Sequence, residues 1–261
     1  FDPLLGCMQT RCEAACKVNW GCLDDYTWPE TASDSDIEIL VADYADAVNL
    51  PLADVTVKAC AAIDPLCVTG IKAEGVTGAD GRVVLEGIPA AFDGFYSFNG
   101  ADYSPSTAHW TEPVHRTSGF TQYQLSPAEL GALAIITGIH KTLDEPFDPA
   151  LGHLIFRMQG CVPMRYVAND VAPSAGVANV RVEFSPNDGA SQTFYLEANG
   201  SVSVTLTETT IQGLGGAFNL LPRNVTVRAI DVATDREVAR GTVNVRPGTI
   251  GFAWMVARSK R

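Results

Sequence analysis

The chain has 261 residues, of which 46% are hydrophobic and 18% charged, so it can bury a core and is not intrinsically disordered. Its net charge of −12 disfavours nucleic acid and anionic membranes as partners, because both require clustered Lys and Arg. No apolar run reaches the roughly 18 residues of a membrane span. Composition therefore favours one or two globular domains.

Seven cysteines at uneven spacing favour an oxidising compartment. Because the chain starts at Phe1, we expect that a signal peptide has been removed and that the protein is secreted or lies in the cell envelope. Residues 1–35 form a cysteine-rich N-terminal module. Its four cysteines are Cys7, Cys12, Cys16 and Cys22. They predict a short helix stapled by two disulfides, with the pairing left open; a zinc site is the alternative, although the spacing is wider than Cys-x-x-Cys.

The next segment predicts a β-sandwich. In residues 52–60, Val55, Val57 and Ala59 alternate with polar residues, which is the period of a half-buried strand. Gly78-Ala79-Asp80-Gly81 predicts a tight turn before a strand at 82–88. The other predicted strands are 37–44, 71–76 and 94–99. A disulfide is expected to close the loop between Cys60 and Cys67.

Residues 100–125 are aromatic and predict irregular structure. Ser126-Pro127-Ala128-Glu129 then predicts a helix start with a capping box, continuing to about Ile139. This helix is mostly apolar, so we expect it to pack between two sandwiches.

The second half repeats the pattern of the first. Residues 178–183 (ANVRVE) echo residues 53–58 (ADVTVK), which places Val180 and Val182 where Val55 and Val57 stand. The strands predicted here are 152–158, 178–184, 192–196, 201–206, 216–220, 224–231, 237–245 and 250–257. Two copies at this spacing indicate two domains rather than a solenoid. Cys161 is the odd cysteine.

Two motifs carry a family resemblance. The first copy reads Leu-x-x-Val-x-Val and then, from Thr77, Thr-x-Ala-Asp-Gly-x-Val-x-Leu-x-Gly-Ile-Pro. The second reads Gly-Val-x-x-Val-x-Val, then Thr-Thr, then Gly-x-Phe-x-Leu-x-Pro-x-x-Val-Thr-Val-x-Ala. Over residues 36–115 and 150–258 the chain resembles the carboxypeptidase-regulatory-like, or prealbumin-like (transthyretin-like), β-sandwich family.

The resemblance implies an all-β protein with two Greek-key prealbumin-like sandwiches in tandem, a disulfide-stapled N-terminal helical module and one inter-domain helix. The expected domains are 1–35, 36–118 (first sandwich), 119–146 (linker with helix) and 147–261 (second sandwich). Related pilin domains carry a Lys–Asn crosslink. Here Lys58 faces outward and its counterpart is Glu183, so we do not expect that crosslink.

Few residues suggest chemistry. His109, Glu112 and His115 are the weak candidates for a metal site, because imidazole and carboxylate ligate zinc. The sequence contains no Gly-x-Ser-x-Gly motif, which disfavours a serine nucleophile of the kind that this motif presents. The Gly213–Gly216 run lacks the Lys and helix of a phosphate loop. We therefore expect no catalytic residues, no metal and no cofactor.

The sequence leaves two main functional hypotheses and a weaker third. The first is a non-catalytic structural or interaction protein, a homo-oligomer or a subunit of an extracellular filament, surface layer or envelope complex. The alternative is a carbohydrate- or peptide-binding module. It rests on four aromatic residues that could stack on a ligand: Tyr96, Tyr103, Trp110 and Tyr123. A metal-dependent enzyme is less favoured.

Charge is distributed unevenly along the chain. Residues 1–50 hold ten acidic and two basic side chains, whereas residues 221–261 hold eight basic and three acidic ones. Opposite charges at the two ends favour head-to-tail association between copies, with apolar burial supplying most of the affinity.

Overall fold

The structure, a computed structural model, describes residues 34–44, 50–89, 92–110, 120–127, 147–160, 176–186 and 191–257, together with Trp20, Glu129, Leu130 and Leu133. The strands in these residues are β1 (Ser35–Asp43), β2 (Thr56–Ala61), β3 (Ile71–Val76), β4 (Arg82–Ile88), β5 (Gly94–Asn99), β6 (Ser106–Trp110), β7 (Phe120–Gln124), β8 (Gly152–Gln159), β9 (Val180–Ser185), β10 (Gln192–Leu196), β11 (Val202–Ser203), β12 (Leu214–Leu220), β13 (Arg223–Asp231), β14 (Arg236–Val245) and β15 (Ile250–Val256).

The described strands form three sheets. A large sheet of nine strands has the order β11-β10-β12-β8-β15-β6-β5-β2-β3. Two small sheets of three strands have the orders β4-β1-β7 and β14-β13-β9. The all-β class expected from the sequence is confirmed for these residues, and the predicted alternation is present in β2, where Val57 and Ala59 are fully buried.

The large sheet runs through both halves of the chain. Its central strand β15 pairs in parallel with β8 on one side and with β6 on the other. A strand inside a sheet that is covered on both faces reads as a continuous apolar run, and β15 (IGFAWMV) is buried at six of seven positions. The two halves of the chain, which the sequence predicts to be two sandwiches in series, are therefore hydrogen-bonded to each other through one sheet.

The small sheets cover opposite faces of the large sheet. Face one carries Val57, Tyr96 and Trp254, and the β4-β1-β7 sheet packs on it. Face two carries Phe156 and Met255, and the β14-β13-β9 sheet packs there. Successive residues of a strand point to opposite faces, so β15 contributes Trp254 to one core and Met255 to the other.

A third apolar cluster lies on face one beside the first core. It joins Leu125 and Leu130 to Phe194, Phe218 and Phe252. The predicted capping box is present: the Ser126 backbone N–H donates to Glu129 Oε2 at 2.5 Å, and the Glu129 N–H donates to Ser126 Oγ at 3.3 Å. Pro127, Glu129, Leu130 and Leu133 are helical, and the rest of the predicted helix lies outside the described residues.

Residues 100–125, predicted to be irregular, contain two strands, β6 and β7. The sequence gives no strand signal for β6 (STAHW), because this strand lies inside the large sheet. It is buried on both faces, so polar and apolar residues do not alternate along it. β7 pairs in parallel with β1 and so completes the first small sheet, although it was expected in the linker. Among the described residues, no helix is both long and apolar enough to span a membrane.

Candidate functional site

The Cys60–Cys67 disulfide, predicted from the sequence, closes the loop after β2 with a Cα–Cα distance of 5.3 Å. Inside the loop, Asp64 Oδ2 accepts hydrogen bonds from the backbone N–H groups of Val68 at 2.7 Å, Thr69 at 2.6 Å and Gly70 at 2.7 Å. These N–H groups, Gly70 first, lower the pKa of the Asp64 carboxyl to about 2. The disulfide and these hydrogen bonds therefore hold the loop in one shape, and the Asp64 carboxylate is ionised at neutral pH.

This loop also presents apolar side chains to solvent. Ile63 is 91% exposed, Val68 68% and Leu66 67%, and no other large apolar side chain in the described residues is more exposed. Residues 61–70 contain no Lys, Arg or His. Exposed apolar groups clustered on a rigid loop are typical of a contact surface.

His109, a metal candidate, lies in β6 rather than in a loop. Its ring stacks on Phe95 at a centroid distance of 5.1 Å, and its Nε2 is 3.1 Å from Thr107 Oγ1. Burial, reinforced by the Arg246 guanidinium, lowers the pKa of His109 to about 3. The imidazole is therefore a neutral packing group at physiological pH.

The remaining metal candidates, Glu112 and His115, lie outside the described residues, as do Cys7, Cys12, Cys16, Cys22 and Cys161. In the part of the chain that the structure describes, no three His, Cys, Asp or Glu side chains are grouped closely enough to hold a metal ion.

The four candidate stacking residues are not grouped on one open surface. Tyr96 is 1% exposed and packs edge-on against Trp110 at 5.6 Å, so its ring has no free face for a ligand. Trp110 is half-buried and stacks on Trp254 at 6.0 Å, across the β6–β15 ladder. Tyr103 is half-buried and donates its hydroxyl to Asp43 Oδ2 at 2.7 Å. Tyr123 lies in β7, and its side chain is outside the described part.

A cavity of about 100 Å³ lies on face one, between the first core and the helical residues. Apolar and aromatic side chains form most of its lining, including Tyr44, Leu133, Phe194, Phe252 and Trp254. Arg157 is the charged residue of the lining, and its guanidinium carbon is 6.0 Å from the Trp254 ring centroid. Tyr44 stands at the solvent side, because 43% of it is exposed.

The outer face of the β14-β13-β9 sheet carries a chain of ion pairs. Arg228 contacts both Glu183 at 3.2 Å and Glu237 at 2.8 Å, and Glu237 also contacts Arg240 at 2.7 Å. The Arg240 hydrogen bonds, followed by those of Arg228, lower the pKa of Glu237 to about 2. Glu183, which the sequence pattern matches to Lys58, is thus part of this chain of ion pairs. Lys58 contacts Glu74 at 3.2 Å.

Sequence reasoning missed both the cavity and the apolar loop. The sequence did contain a signal for the apolar loop. It is a ten-residue stretch without any cation that holds three large apolar residues, Ile63, Leu66 and Val68. The cavity was not readable, because its walls come from Tyr44, Leu133 and the strands β8, β10, β12 and β15, which are distant in sequence and meet only in the folded sheet.

No family model and no curated protein matches this chain. Among solved structures, the Bacillus anthracis TIE protein is similar over 87% of this chain at 14% identity and a TM-score of 0.25, and the chain spans 34% of that protein's chain. The minor pilin GBS52 of Streptococcus agalactiae is similar over 87% of this chain and 97% of its own, at 10% identity and a TM-score of 0.27.

The shaft pilin SpaA of Lactobacillus rhamnosus GG is similar over 88% of this chain and 100% of its own, at 11% identity and a TM-score of 0.24. At TM-scores and identities this low, the likeness assigns neither a fold nor a function to this chain.

Proposed function

We propose that the protein is a non-catalytic, secreted or cell-envelope subunit of an extracellular assembly. The observation that carries this proposal is the parallel β6–β15 ladder, which hydrogen-bonds the two halves into one body. A subunit that transmits load or holds a spacing needs such a rigid body. The apolar Cys60–Cys67 loop supplies an exposed contact surface on it.

The finer architecture belongs to the same proposal. We interpret residues 36–118 and 147–261 as two prealbumin-like units joined by 119–146, with the N-terminal module at 1–35. Buried Thr77 and Thr209 support this interpretation, because each accepts and donates the same hydrogen bonds in its own half.

The secreted location is tested by the redox state of the seven cysteines. Mass spectrometry without reductant is expected to find three disulfides and at most one free thiol per chain. Seven reactive thiols in the native protein would contradict an oxidising compartment.

The binding-module alternative is retained at the cavity beside Tyr44 and Trp254, because aromatic walls with one cation are typical of small ligand sites. A glycan and peptide array tests it. Tyr44→Ala is the suitable variant, since Tyr44 is 43% exposed, whereas Trp110→Ala would also remove the stacking on Trp254.

A further inference from the structure

The cavity on face one has walls that the fold holds in place. Strands β10, β12 and β8 are hydrogen-bonded side by side, and β15 pairs with the other edge of β8. The Phe194 ring stacks on Phe218 at a centroid distance of 5.3 Å. A Cβ atom at Gly216 would lie 2.6 Å from the Phe194 ring, so this ring lies directly over a glycine. Trp254 is held in turn by its stacking on Trp110. The cavity is therefore preformed, and a ligand loses little affinity to rearrangement of the walls.

The polar groups of the lining already have interactions within the chain. This holds for Arg157, Trp254 and Tyr44. Burial, and after it the charge of Glu129, raises the pKa of the Tyr44 hydroxyl, so a further negative charge beside Tyr44 is disfavoured. Burying a sugar hydroxyl or a carboxylate without new hydrogen-bond partners costs free energy. The lining therefore disfavours glycans and anions and favours an uncharged apolar group.

The size of the cavity narrows the choice of apolar group. Its volume is about 100 Å³, whereas an apolar protein cavity that binds benzene has a volume of about 150 Å³. An unbranched chain with rotatable bonds fills a small, irregular space more readily than a rigid ring, as methionine does in protein cores. Tyr44 lines the cavity and is 43% exposed, so a longer chain can extend past it into solvent.

We infer that the cavity binds the end of an uncharged alkyl chain, with the rest of the ligand projecting past Tyr44. The chain end would contact the aliphatic and aromatic part of the lining: Leu133, Ile155, Leu196, Leu214 and Phe252. Removal of the chain from water drives the binding, and each buried methylene raises the affinity by about fourfold. The inference goes beyond the proposed assembly and does not depend on it. It also gives the binding alternative a ligand class, an apolar chain in place of a glycan.

A series of linear primary alcohols from propanol to octanol tests the site in the full chain. NMR chemical-shift titration gives the Kd of each alcohol and locates its contacts on the strands. The affinity is expected to rise by about fourfold with each methylene until the cavity is full, and then to level off. Hexanoate has the same chain length as hexanol and is expected to bind no more tightly, because Arg157 already has an interaction within the chain.

Filling variants connect the binding to the cavity. Leu214→Trp fills it from β12, and Leu133→Trp fills it from the helical residues. The matched control is Leu221→Trp, because Leu221 is 47% exposed, directly follows β12 and is not among the lining side chains. Each filling variant is expected to weaken hexanol binding by about tenfold or more, because the indole excludes at least two methylenes and each is worth about fourfold. The control is expected to keep the wild-type Kd.

Three outcomes would overturn the inference. The first is that the wild type binds no alcohol saturably, or that its shift changes map away from β8, β10, β12 and β15. The second is an unchanged Kd for hexanol in a filling variant that folds. The third is tighter binding of hexanoate than of hexanol, which would make the cavity an anion site. Each outcome leaves the proposed assembly subunit standing, since that proposal is tested by the mass of the native particle.

Discussion

Thr77 and Thr209, one in each half of the chain, make matching hydrogen bonds. Thr77 Oγ1 accepts from the Val55 N–H at 3.0 Å and donates to the Leu52 carbonyl at 2.6 Å. Thr209 Oγ1 accepts from the Val180 N–H at 3.1 Å and donates to the Val177 carbonyl at 2.6 Å. Each hydroxyl thus joins the start of a strand, β2 or β9, to a segment more than twenty residues further along the chain.

Replacing either threonine by valine is expected to destabilise the fold by about 1–3 kcal/mol, because an isosteric methyl leaves a buried N–H and carbonyl without that partner. Thr77→Ser and Thr209→Ser keep the hydroxyl and serve as controls. Urea unfolding measures the difference. Equal stability of the Val and Ser variants would show that the bridge contributes nothing.

The shared sheet predicts that the two halves unfold together. Met255→Ala removes a fully buried side chain from the second core and is expected to cost about 2–5 kcal/mol. Because β15 is hydrogen-bonded to β6, amides of β2 and β5 in the first half should exchange faster as well. Hydrogen exchange measures this, with Val57→Ala as the reciprocal variant.

Faster exchange confined to residues 150–257 in Met255→Ala would contradict the coupling. Two separate unfolding transitions in the wild type would contradict it equally.

His109 predicts acid sensitivity in a defined pH window. Its pKa is about 3 in the folded state against an ordinary value of 6.5, so the unfolded state binds the proton more tightly. The stability contributed by neutral His109 is complete above about pH 6.5 and is lost as the pH falls towards 3. His109→Gln should flatten the stability profile in this window, as measured by urea unfolding at each pH.

Glu237→Gln is the control for that profile, because the pKa of Glu237 is lowered from 4.5 to about 2 and its effect falls below pH 4.5. A His109→Gln variant with an unchanged slope between pH 6.5 and 4.5 would show that the imidazole does not limit acid stability.

The Cys60–Cys67 disulfide is expected to stabilise the protein by about 2–3 kcal/mol, the value for a short closed loop. The double variant Cys60→Ser, Cys67→Ser should lose this amount in urea unfolding. Asp64 should still hold the loop, so Asp64→Ala in the double-serine background should cost more than in the wild type. A urea unfolding midpoint that does not change when the disulfide is removed would contradict this stabilising role.

Much of the fold was predictable because the turn residues and the alternation of polar and apolar residues agree with the strands that the structure contains. The bounds of β3, β4 and β5 match those predicted, since a Gly or Pro lies at or near the ends of these strands. Asp80 Oδ1 accepts from the Arg82 N–H at 3.1 Å, as the turn sequence indicated. In antiparallel strands near the edge of a sheet, one face stays exposed to water, so polar and apolar residues alternate along the sequence.

The pairing between the halves was not predictable in the same way. β6 and β15 are separated by about 140 residues and pair in parallel, so no turn links them and no alternation marks them. Trp110 was considered as a ligand-stacking residue because its partner Trp254 is distant in sequence. The cavity likewise emerged only from the structure, because β8, β10, β12 and β15, which line it, come together only in the folded sheet.

The central claim is that the protein works as a subunit of an assembly, and the mass of the native particle tests it most directly. Sedimentation or light scattering of material extracted from its source without denaturant should give a mass of several times 27.8 kDa. A native particle of 27.8 kDa, unchanged by concentration and salt, would contradict the account.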